Sequence, residues 1–192
     1  MNHVRCLAVY CGSAPGSKPA FAESTRATAK AMVEAGVDLV YGGGKLGLMG
    51  IVADSVLDLG GHVYGVIPQA LVDVEVAHTG VTELHTVANM HERKAKMTDL
   101  ADAFLALPGG IGTLDELFEA WSWNALGYHA KPFCLLNVDG FWDGMIEFIE
   151  HAYQSGFMSK PRRDQLLVAQ TPEEALKLLD EAAAGATQGM VW

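Results

Sequence analysis

Cysteine is scarce in this chain of 192 residues: Cys6, Cys11 and Cys134 are the three it has. An odd number with no C-x-x-C spacing excludes a disulfide framework and a structural zinc site, and points to a reducing, cytoplasmic compartment. Charge is sparse too, at 19% of residues, and its balance is acidic, with 13 Lys and Arg against 23 Asp and Glu. A net charge of −10 offers no basic surface to nucleic acid or to an anionic membrane, so an anionic ligand has to be held locally. Long hydrophobic runs are missing. The apolar stretch from Cys6 to Cys11 is shorter than a signal-peptide core and runs into a glycine turn, and no stretch approaches transmembrane length. The histidines form no HExxH or clustered pair and the acids no calcium loop, so no metal is expected. Neither G-x-S-x-G nor a Walker A sequence occurs, which argues against a serine hydrolase and against ATP hydrolysis.

What is present is a globular composition, half hydrophobic, with the length of one domain and a substantial core. Strand-length apolar runs recur at Leu7–Cys11, Val37–Tyr41, His62–Ile67, Ala103–Leu107 and Phe133–Val138. Helical patterns lie between most of them, near Ala20–Ala35, Met49–Leu59, Met90–Ala101, Thr113–Leu126 and Trp142–Ser155. The runs are continuous rather than alternating, as in a sheet covered on both faces. The fold expected is therefore α/β: a single-domain, Rossmann-like, doubly wound parallel sheet with helices on both faces. Thr171-Pro172-Glu173-Glu174 has capping-box spacing with proline at the first helical position, so a last helix starts there. Past Asp180 the chain turns Ala- and Gly-rich, and the expectation is a domain over 1–180 followed by a flexible tail, 181–192.

Such sheets bind ligands beyond the carboxyl ends of their strands. Three glycine clusters fall there: Gly12-Ser13, Gly42-Gly43-Gly44 with Gly47 and Gly50, and Gly109-Gly110 with Gly112. Their convergence favours a phosphate-bearing ligand. The second cluster formally matches the dinucleotide fingerprint G-x-G-x-x-G, but the next strand ends Val66-Ile67-Pro68-Gln69, without the acid that would hold a ribose. These glycines read instead as helix-strand packing, with Gly43 and Gly44 as mononucleotide contacts, and no cofactor is expected.

The most telling segment is Leu107-Pro108-Gly109-Gly110-Ile111-Gly112-Thr113-Leu114-Asp115-Glu116. A glycine turn at a strand-to-helix junction exposes N–H groups that have no intrahelical partner, which is an anion site, and Thr113 can add a hydroxyl. Glu116 lies on the same helical face as Thr113. A carboxylate beside a phosphate site is costly for simple binding, so it reads as chemistry; ionised by the local dipole, it suits a base or cation stabiliser. Asp115 is the ordinary acid of a first helical turn.

Asn89-Met90-His91-Glu92-Arg93-Lys94-Ala95-Lys96-Met97 is the second informative segment, with Asn89 and Glu92 at capping spacing. Arg93 and Lys94 then stand in a first turn, where the macrodipole disfavours cations, and Arg93 interrupts the apolar face. Such an arginine needs a carboxylate or a phosphate; a structural ion pair is the plainer alternative. Downstream, Trp121, Trp123 and Leu126 make the Thr113–Leu126 helix apolar nearly all round, which is expected if a second subunit covers one side.

Together, Pro108 to Glu116 and Met90 to Met97 resemble the PGGxGTxxE and MHxRKxxM signatures of the LONELY GUY (LOG) family. The resemblance extends through Tyr41-Gly42-Gly43-Gly44, Gly47-Leu48-Met49-Gly50 and Leu135-Leu136-Asn137-Val138-Asp139-Gly140. It implies cytokinin riboside 5'-monophosphate phosphoribohydrolase activity, in bacterial members often on AMP as well. It further implies a homodimer with sites near the subunit interface and a catalytic pair, Arg93 and Glu116. Implied substrate contacts are Glu75, Arg93, Lys94, the run Gly110, Ile111, Gly112, Thr113, Leu114, Asp115 and Glu116, and Ser122, where many relatives have threonine; Gly12, Ser13, Gly43 and Gly44 join them as turn residues. A lysine decarboxylase label, common for such chains, has no lysine in a pyridoxal phosphate context to support it. A non-catalytic nucleotide sensor and a phosphoribosyl transferase are the alternative readings of the same cradle.

Overall fold

The computed structural model describes residues 3–72 and 76–186. Its strands are β1 (Cys6–Tyr10), β2 (Asp38–Tyr41), β3 (Val63–Pro68), β4 (Glu83–Val87), β5 (Ala103–Ala106), β6 (Phe133–Leu136) and β7 (Leu166–Ala169). Between and after them run α1 (Pro19–Glu34), α2 (Gly47–Asp58), α3 (Met90–Leu100), α4 (Ile111–Ala125), α5 (Asp143–Gln154), the short α6 (Lys160–Asp164) and α7 (Pro172–Gly185). All pairings are parallel, in the order β4-β3-β2-β1-β5-β6-β7. The chain winds outward from β1 through β4, then returns to the other side of β1 with β5. The topological switch thus falls between β1 and β5, where ligands of such sheets bind.

Alternation along the strands sends side chains to two cores. Leu7, Val9 and Cys11 join residues of α1, α2 and α7, such as Met32, Val52 and Leu179, on one face. Ala8 and Tyr10 join Met97 of α3, Leu117 and Trp121 of α4 and Ile149 of α5 on the other. This is the doubly wound architecture expected from the continuous apolar runs.

Two strands were not foreseen, β4 and β7, and both are edges of the sheet. An edge strand needs little apolar sequence: Glu83-Leu84-His85-Thr86-Val87 is exposed or half-buried throughout. The expected tail also needs correction, because α7 continues past Asp180 to Gly185. Glu181 to Ala184 are strong helix formers, and Ala183 packs against the first core. Residues 187–192 of that expected tail lie outside the described residues. Both capping predictions hold: Asn89 Oδ1 accepts the Glu92 N–H at 3.0 Å, and Thr171 Oγ1 accepts the Glu174 N–H at 3.2 Å. Among the described residues no helix is long and apolar enough to cross a membrane.

Candidate active site

At the switch point the β1 and β5 turns are laced together. The Gly12 N–H donates to Pro108 O at 3.1 Å, continuing the ladder in which the Leu107 N–H donates to Tyr10 O at 2.9 Å. Gly110 is the N-cap of α4 and offers no side-chain cap. The N–H groups of Ile111, Gly112 and Thr113 therefore open the helix without intrahelical acceptors. These residues, with Gly12, Ser13 and Gly110, line a cavity of about 350 Å³ whose remaining walls are Cys11, Met49, Leu71, Met90, Arg93 and Glu116. A larger depression of about 470 Å³ lies at the amino ends of β5 and β6, beside Asp102 and Pro132. Anion-binding helix termini and the switch point are both at the carboxyl ends, so the smaller cavity is the candidate site.

Arg93 is buried at 4% exposure and reaches the cavity from α3. Its Nε donates to Val66 O at 3.1 Å and its Nη2 to Gly42 O at 2.7 Å, while Nη1 contacts Met90 Sδ at 3.7 Å. Main-chain carbonyls at the carboxyl ends of β2 and β3 thereby fix the plane of the guanidinium and help to offset the cost of burying it. The sequence called for an anion beside this arginine; carbonyl dipoles supply part of that environment.

Glu116 stands one turn into α4, half-buried, on the cavity side of Thr113. Its charge is felt at the end of β1. Burial, then Glu116 and Glu119, push the Tyr10 phenol well above its usual range, and burial followed by Glu116 raises the Cys11 thiol. Cys11 is thus a protonated wall residue rather than a thiolate nucleophile.

Other anticipated residues have different places. Lys94 turns away from the cavity to pair with Asp115 at 3.0 Å and with Glu119, tying α3 to α4. Burial lowers its pKa, but hydrogen bonds and charge from Glu119 and Asp115 outweigh this and leave it above the ordinary lysine value. Lys94, Asp115 and Leu114 are not among the wall residues, nor are Gly43 and Gly44. The glycines from Gly42 to Gly47 are closely packed: a Cβ on Gly42 would lie 2.2 Å from Arg93 Nη2, and one on Gly47 2.3 Å from the Ser13 carbonyl carbon. The Gly12 carbonyl accepts the Leu48 N–H at 2.9 Å, so the start of α2 is capped by protein rather than open to an anion. Ser122 is exposed on the outer face of α4, and Glu75 lies outside the described residues. The walls Cys11, Met49, Leu71 and Met90 were not anticipated as a set. Cys11 and Met49 flank glycine clusters after strands, which is the signal that could have marked them.

The family model described as "Possible lysine decarboxylase" matches residues 49–179. The chain is 48% identical over 191 residues to the cytokinin riboside 5'-monophosphate phosphoribohydrolase LOG of Oryza sativa subsp. japonica, covering 100% of this chain and 79% of the relative. It is 45% identical to LOG2 of Arabidopsis thaliana, which carries the same enzyme name, over 94% of this chain and 84% of that one. Among solved structures, the Moco carrier protein of Chlamydomonas reinhardtii superposes with a TM-score of 0.71 at 18% identity, covering 94% of this chain and 98% of that one. The molybdenum cofactor binding protein of Rippkaea orientalis gives 0.69 at 19% identity, over 92% and 95% of the two chains. At such identities the likeness is one of fold. Identity to the plant enzymes along the whole chain, with both signature segments meeting at one cavity, establishes that the chain belongs to the LOG family.

Proposed function

We propose that this chain hydrolyses the N-glycosidic bond of cytokinin riboside 5'-monophosphates, and of AMP, releasing a free adenine-type base and ribose 5-phosphate. One observation carries the reading: Arg93, Glu116 and the open N–H groups of α4 line the same cavity. The 5'-phosphate sits at the first turn of α4, held by main-chain N–H groups and the helix dipole. Gripped there, far from the bond to be broken, it sets the sugar's anomeric carbon beside Glu116. Departure of the base develops positive charge at that carbon, as in glycoside hydrolysis generally. The Glu116 carboxylate stabilises that charge and takes a proton from the attacking water, whose hydroxyl ends on the anomeric carbon; the departing base nitrogen takes up one proton from solvent and Glu116 afterwards returns its own, so that one water is consumed. Arg93 orients the sugar and the carboxylate.

The active unit is a homodimer. Ile111, at 84% exposure, Phe118 at 36% and Leu126 at 49% form a stripe along the outside of α4 that also carries Ser122. A second copy covering this stripe brings Ser122 to the interface near the site and removes its apolar surface from water. The three free cysteines accord with a reducing, cytoplasmic setting. Incubation with AMP or isopentenyladenosine monophosphate, followed by chromatography, tests the activity. Free base and ribose 5-phosphate in equal amounts are expected; stoichiometric binding without free base would overturn the reading in favour of a sensor.

A further inference from the structure

Outside the cavity stands a buried histidine that the proposed mechanism does not use. His78, at 4% exposure, accepts the Gly80 N–H on Nδ1 at 3.2 Å, and its Nε2 lies 2.8 Å from Asp54 Oδ1 on α2. A backbone N–H can only donate, so the ring proton sits on Nε2 and is given to Asp54. The same stretch is joined by main-chain bonds to the turn after β2. The Lys45 N–H donates to Val76 O at 3.0 Å and the His78 N–H to Gly43 O at 2.9 Å, with Gly44 and Ala77 forming an antiparallel bridge. Val76 has φ 50°, a left-handed conformation that a β-branched residue holds only when its neighbours impose it.

These fastenings lead to the site. The Ala77 N–H donates to Val72 O at 2.9 Å, which anchors the 3-10 turn Gln69–Leu71, and Leu71 is a cavity wall. We propose that His78 is a positioning residue for the nucleotide site: with Asp54 it clamps residues 76–80 beside the Gly42–Lys45 turn and so fixes the Leu71 wall. This rests on the nucleotide hydrolase reading. Leu71 and Met49 follow β3 and β2, on the side of the cavity away from the β5 turn and its phosphate-binding N–H groups. The clamp therefore serves the nucleobase end, not the phosphate end.

The test compares His78→Ala, Asp54→Ala and Asp54→Asn in the full chain, measuring KM for AMP and inhibition by ribose 5-phosphate. His78→Ala is expected to raise KM about 10-fold and Asp54→Ala to raise it less, since water can reach the exposed Asp54 position. Inhibition by ribose 5-phosphate stays within about twofold of wild type, because α4 is untouched. Asp54→Asn retains an acceptor and restores wild-type KM. An unchanged KM in both alanine variants overturns the proposal, as does an equal weakening of ribose 5-phosphate, which would mean general loosening. If His78→Ala fails to fold, the Asp54 pair decides alone. If the wild type releases no base, calorimetric Kd values for AMP and ribose 5-phosphate make the same comparison, so failure of the activity and failure of the clamp are read separately.

Discussion

Thr113 lies directly beneath Gly109: a Cβ built on the glycine would sit 2.1 Å from the threonine hydroxyl and 2.9 Å from the Gly12 nitrogen. Two turns and the first turn of α4 thus meet at a point where only a hydrogen fits. Gly109→Ala forces backbone to move, at a cost of about 1–3 kcal/mol. Urea unfolding is expected to show that loss, and calorimetry a phosphate affinity reduced with it. An alanine variant of wild-type stability and affinity would show that the turn has slack this packing denies.

Glu116→Gln preserves shape while removing the charge proposed to stabilise the sugar cation and accept the water proton. Turnover of AMP is expected to fall by roughly 10²–10⁴, with AMP binding by calorimetry close to wild type. A rate near wild type would remove Glu116 from the mechanism.

His129 supplies a pH dependence. Burial, aided by the Lys131 cation, lowers its pKa to about 4, and its Nδ1 accepts the Lys131 N–H at 3.2 Å. Since the folded value lies below the unfolded one near 6.5, the unfolded chain takes up the proton first as pH falls. Stability is thus lost between about pH 6.5 and 4, by up to ~3 kcal/mol from this residue. His129→Asn, which keeps an acceptor for Lys131, is expected to show a shallower loss in urea titrations over that range.

Much of this was legible in the chain. Alternation of apolar runs with helical patterns announced the parallel sheet, and the glycine turn before Thr113 announced the uncapped helix start that lines the cavity, because both are local consequences of backbone chemistry. Arg93 stood out because a cation on an apolar helical face is unfavourable. What stayed hidden depends on distant partners: the edge strands β4 and β7 bury too little to leave a periodic signal, and the pairing of Lys94 with Asp115 and Glu119 exists only once α3 and α4 pack together. His78 and Asp54 are 24 positions apart and carry no motif that would join them.

Phe118→Glu places a charge in the middle of the α4 stripe. The variant is expected to run as a monomer in light-scattering chromatography at micromolar concentration, with the wild type a dimer, and to lose activity because the proposed interface lies beside the site. A monomeric wild type would contradict the dimer.

The most direct measurement is the ratio of kcat/KM for AMP to that for adenosine, which differ only in the group that α4 is proposed to grip. If main-chain N–H groups hold the phosphate and so place the sugar, the monophosphate is favoured by at least ~100-fold. Equal rates on the two substrates would contradict the account.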